Sequence, residues 1–110
     1  MIHQHQSLAA GRWKQMSFVE QMANIGSEVE RAINWKTKNN EAFSQKAFDR
    51  ALELLDLTLQ SETNFPRLKE LARVREGLVD YFFGTNEYLS TETSWKKYFL
   101  QFNMAARRNH

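Results

Sequence analysis

The stretch "SFVEQMANIGSEVERAI" at residues 17–33 decides the fold. Ser17 and Glu20 form a capping box: the hydroxyl takes the amide three residues on, and the carboxylate reaches back to the Ser17 amide. Apolar residues then recur at Phe18, Met22, Ile25, Val29, Ala32 and Ile33. These steps of three and four keep one face of an α-helix out of water. Gly26 lies beside the stripe. A mid-helix glycine costs about 1 kcal/mol against alanine, so its presence predicts a close approach by another helix. "KTKNN" at 36–40 ends the helix: lysines suit the C-terminal dipole, and asparagine tolerates the left-handed conformation.

Toward the N-terminus the pattern fades. Residues 1–16 carry no apolar stripe and are expected to form an irregular, mobile arm, as untied termini do, leaving 17–110 as the folded domain. Trp13 is the one residue there suited to docking on the body. His3 and His5, in "HQHQ", are too near a chain end to define a metal site.

Toward the C-terminus three more helices follow. "EAFSQKAFDRALELLDLTLQ" at 41–60 has an apolar stripe wide enough to pack on more than one neighbour, which predicts the central element. "SETNF" breaks the chain, with Thr63 or Asn64 as cap and Pro66 in the first turn of the third helix. That helix, 66–84, places Leu68, Leu71, Ala72, Val74, Leu78, Val79, Phe82 and Phe83 at helical spacing, with Gly77 inside it and Gly84 at its end. After "TNEYLS", Ser90 or Thr91 caps a fourth helix over 92–108. Four helices of about five turns with short connections predict an all-α, antiparallel up-down four-helix bundle.

Composition limits the function. One domain fits the 110 residues, and the 42% apolar and 25% charged fractions suit a globular chain. No run is apolar enough to span a membrane, and the opening residues lack a secretory signal. Cysteine is absent, which removes disulfides and thiolate metal sites and fits a cytoplasmic setting. The net charge of +2, with both signs interspersed, permits nucleic acid as a partner without calling for it.

Residues 80–102 hold eight aromatic residues in twenty-three. Tyr81, Phe82 and Phe83 point about 100° apart on a helix, so one core cannot take all three. Trp95, Tyr98, Phe99 and Phe102 raise the same difficulty. Surplus ring surface marks an interaction site, most simply a two-fold homodimer. Tyr81, Phe83, Trp95 and Tyr98 are the expected interface residues.

Catalytic chemistry finds little footing. No Glu-x-x-His pair is present, and no His lies between His5 and His110, so no carboxylate–metal centre is expected. Nucleophile elbows and glycine-rich phosphate loops are also missing. No catalytic residue, metal or cofactor is expected. The basic residues Arg73, Arg75, Lys96 and Lys97 are the candidates for a nucleic-acid surface, with Tyr81 or Tyr88 as stacking rings. Arg75 lies near the apolar stripe, where Glu28, Glu30 or Glu53 is expected to pair with it.

The segments "IGSEVERAINWKTKNNEAFSQKAFDRALELLDLTL", "RLKELARVREGLVDYFFG" and "SWKKYFLQF" resemble a group of short uncharacterised prokaryotic helical proteins over roughly 17–107. More coarsely, size and helix order resemble HEPN domains, the small helical bundles of toxin–antitoxin and defence systems. Members that cut RNA share an Arg-x4-His motif. Here Arg75 is followed by Asp80 at that spacing, and Ala105 precedes His110. The resemblance implies a partner-binding bundle, with an RNA- or nucleotide-associated module as the second reading.

Overall fold

The computed structural model describes residues 6–108 and the side chains of residues 11–108. Among them every regular element is α-helical: α1 Gln6–Gln15, α2 Phe18–Thr37, α3 Glu41–Ser61, α4 Phe65–Phe83 and α5 Glu92–Arg108. His3, His5 and His110 lie outside the described residues. No described helix is long and apolar enough to cross a membrane.

Local chemistry sets the ends. The Glu20 amide donates to Ser17 Oγ and the Ser17 amide to Glu20 Oε1, each at 3.1 Å. Asn39, just past α2, takes φ 60°, the left-handed value asparagine tolerates. Asn40 then caps α3, its Oδ1 accepting from the Phe43 amide at 3.0 Å. Asn64 does the same for α4 through the Arg67 amide at 3.1 Å, with Pro66 in the first turn. At α5, Thr91 and Ser94 exchange amide–hydroxyl bonds at 2.9 and 3.0 Å.

The core lies between the helices. Met22, Ile25, Val29 and Ile33 of α2 meet Phe48, Ala51 and Leu55 of α3, Leu71 and Leu78 of α4, and Phe99 of α5. Helix α2 packs on α3 and α5, and α3 also touches α1 and α4, as its broad apolar stripe requires. Glu28 ties α2 to α3 at the surface, accepting from Arg31 at 2.7 Å and from Arg50 at 3.0 Å.

The N-terminal expectation needs correcting. Within 1–16, α1 is a helix, and Trp13 is only 6% exposed. Its indole N–H donates to Thr58 Oγ1 at 2.8 Å, and its carbonyl accepts from Gln21 Nε2 at 2.8 Å. Among the described residues, the Trp13 ring and these two hydrogen bonds tie the helix to the body, and contacts of that kind leave no periodic stripe to read in the sequence. A large ring sealed in the core stabilises by about 1.5–3 kcal/mol.

Candidate functional site

The aromatic surplus divides three ways. Trp95 belongs to the core: it is 9% exposed, stacks on Phe99 at 6.1 Å and lies against Gly77 of α4. An expected interface residue is thus enclosed by its own chain. Among the described residues its indole N–H has no acceptor. Tyr81 and Tyr98 are half-buried. Tyr81 lies edge-on to Phe82, with the Lys36 ammonium 4.7 Å from its ring centre. Burial, aided by the Glu92 charge, raises its pKa above the ordinary value. Tyr98 donates its hydroxyl to the Glu70 carboxylate, joining α5 to α4. Burial and that bond push its pKa well above 10.0.

Phe83 alone of the four is open, at 56% exposed, though one edge meets Phe48 at 5.2 Å. It ends a second apolar stripe on α4 formed by Leu68, Ala72, Val79 and Phe83. At 100° per residue these four fall within about 60° of one another and border the buried face of Leu71, Val74 and Leu78, with Val79 still packed on the core. Leu68 and Val79 are half-buried, and Ala72 and Phe83 are exposed. A shallow groove of about 310 Å³ lies at the middle of this stripe, lined by Leu59 of α3 and by Ala72, Arg75, Glu76 and Val79. The spacing of the stripe is visible in the sequence. Its separation from the core face is not, because both stripes fall on one strongly apolar helix.

A second groove, about 410 Å³, lies between α2 and α5. Gly26, Glu30, Lys96, Lys97 and Leu100 line it. Leu100 and Met104 stand open to solvent nearby on α5.

The four basic candidates do not share one surface. Arg75 turns to α3 and pairs with Asp56 at 2.9 Å, so its carboxylate partner is Asp56 and not Glu28, Glu30 or Glu53. Arg73 pairs with Glu70 on its own helix at 3.1 Å. Lys96 pairs with Glu92 at 2.9 Å and, with Lys97, lines the α2–α5 groove. Asp80, which stands where the RNA-cutting motif has histidine, accepts from the Glu87 and Tyr88 amides at 2.9 and 3.1 Å and so shapes the loop before α5. Among the described residues no group of three His, Asp or Glu side chains is placed to hold a metal ion.

No family model, curated protein or solved structure matches this chain.

Proposed function

We propose that this chain is a non-catalytic protein-interaction or regulatory module of the cytoplasm that acts as a homodimer. Its body is an antiparallel up-down bundle of α2–α5. Three-residue connections before α3 and α4 support that arrangement. So does contact register: Phe48 meets Phe82 while Asp56, further along α3, meets Arg75, earlier on α4.

The second apolar stripe on α4 carries the functional reading. Its apolar surface extends past the core-facing residues to the exposed Ala72 and Phe83, and apolar surface left open in this way supports an interaction reading. Pairing of Arg73, Arg75 and Lys96 with nearby carboxylates favours this reading over an RNA-associated one. Sedimentation equilibrium across a concentration series tests it. The expected result is a reversible dimer of twice the chain mass. A single monomeric species up to millimolar concentration would remove the homodimer.

A further inference from the structure

We propose that the outward face of α5 rests on an anionic lipid bilayer, as a surface contact and not a span. The inference goes beyond the homodimer reading and does not depend on it. At 100° per residue, four exposed cations and two exposed apolar side chains of α5 share an arc of about 120°. Leu100 and Met104 run along the middle of the arc, 52% and 51% exposed. Lys96 and Arg107 flank them on one side, and Lys97 and Arg108 on the other. The aromatic residues of α5 lie on its opposite side, toward the core.

Charge says what this face would take. After Glu92 the helix carries no carboxylate. Lys96 is held by Glu92 at 2.9 Å, and Glu30, on the α2 wall of the groove, also acts on it. Lys97, Arg107 and Arg108 have no ion-pair partner among the described residues. Those three cations are left for an anionic partner.

Shape selects among anionic partners. The face is the convex back of a helix, with aliphatic side chains along its crest. The phosphates of a nucleic acid offer such side chains no apolar contact, and the arc holds no ring on which a base could stack. A folded protein would need a groove to receive the crest. A bilayer needs none: Leu100 and Met104 enter between headgroups, while the lysine and arginine stems lie alongside and keep their charges at the phosphate level. Each cation near an anionic leaflet adds to the attraction, and salt screens it.

Co-sedimentation of the full chain with vesicles tests the proposal. The expected result is binding to vesicles of phosphatidylcholine and phosphatidylserine in equal amounts, none to phosphatidylcholine alone, and release in high salt. Arg107→Glu with Arg108→Glu should weaken binding about tenfold or more. Leu100→Ser with Met104→Ser keeps every charge and should weaken it about fivefold. The same charge change placed elsewhere, Lys38→Glu with Lys46→Glu, should alter it by no more than about twofold. All six positions are exposed, so helical circular dichroism should match the wild type in each variant. Absence of binding to the mixed vesicles in low salt overturns the proposal, as does equal binding to phosphatidylcholine alone. Equal weakening by the Lys38 and Lys46 changes overturns it too, by making the attraction one of net charge. So does vesicle binding that the two serine changes leave untouched. Tighter binding of a single-stranded RNA oligonucleotide than of vesicles, unaffected by the serine changes, overturns it and assigns the face to nucleic acid.

Discussion

Gly26 of α2 lies so close beneath Phe99 of α5 that a Cβ built on the glycine would stand 2.7 Å from the Phe99 Cβ. The neighbouring atom is the root of that side chain and not a flexible tip, so the two helices must separate to admit even a methyl group. Gly26→Ala gains helix propensity of about 1 kcal/mol but meets an overpacking cost of about 1–3 kcal/mol. The expected net result is a loss of up to about 2 kcal/mol, read from the urea midpoint. A variant as stable as the wild type would mean that α5 shifts freely on α2.

Gly77 makes a graded contrast. A Cβ there would stand 3.2 Å from the Cζ2 and Cη2 atoms of Trp95, tight yet at the outer edge of the indole. Gly77→Ala should therefore lie within about 0.5 kcal/mol of wild type, since propensity offsets the contact. Gly77→Leu should cost about 1–3 kcal/mol by displacing Trp95. The same urea series checks the order. Gly77→Ala falling below Gly26→Ala would reverse it.

These two glycines show what the sequence discloses. A glycine inside a strong helical stripe announces a close crossing, and both are buried at one. The caps were equally readable, because Ser17, Asn64 and Thr91 each carry the oxygen that a helix start needs. Helix α1 was not, because the indole that ties it down reaches Thr58, forty-five residues away. Nor could the pattern separate Trp95 from Phe83. Both occupy apolar helical positions, and only the packing of α5 over Gly77 encloses one and leaves the other open. Ion pairing was hidden for a similar reason: Asp56 and Arg75 meet only once α3 lies beside α4.

The Trp13–Thr58 bond gives the second buried link a direct test. Thr58 is fully buried, and its hydroxyl accepts from the indole while donating to the Leu54 carbonyl, both at 2.8 Å. Thr58→Val keeps the shape and leaves the indole N–H without an acceptor. The expected cost is about 1–3 kcal/mol. Trp13→Ala removes the ring as well and should cost about 3–5 kcal/mol. Removing residues 1–16 should act like Trp13→Ala in thermal unfolding. A truncated chain of unchanged stability would show that α1 contributes nothing to the core.

Asp80 organises the loop that turns the chain into α5. Its carboxylate holds the Glu87 and Tyr88 amides, and its carbonyl accepts from the Gly84 and Asn86 amides at 3.0 and 3.2 Å. The loop also contains Asn86 and Leu89 at φ 58° and 54°, conformations that a leucine adopts only when its surroundings impose them. Asp80→Ala should cost about 1.5–3 kcal/mol and speed hydrogen exchange at the Glu87 and Tyr88 amides. Asp80→Asn, which keeps one carbonyl acceptor, should cost less. Exchange rates untouched by Asp80→Ala would assign the loop to other contacts.

Tyr98 links stability to alkaline pH. Burial first, and then the bond to Glu70, raise its pKa far above the ordinary 10.0, although the Arg73 charge acts the other way. The fold therefore prefers the neutral phenol. Its contribution is fully present below the unfolded tyrosine value of about 10. It is lost as pH rises from there toward the raised folded value, because only the unfolded chain then releases the proton. Tyr81 and Tyr88 also titrate high, so the comparison must be with Tyr98→Phe, which keeps both. Between about pH 9 and pH 11 the wild-type urea midpoint should fall more steeply than that of the variant. At neutral pH the variant should be weaker by about 1–3 kcal/mol through the lost bond to a carboxylate, so the two stabilities converge as the solution becomes alkaline. Parallel curves would mean that the Tyr98 phenol ionises as readily beside Glu70 as it does in the unfolded chain.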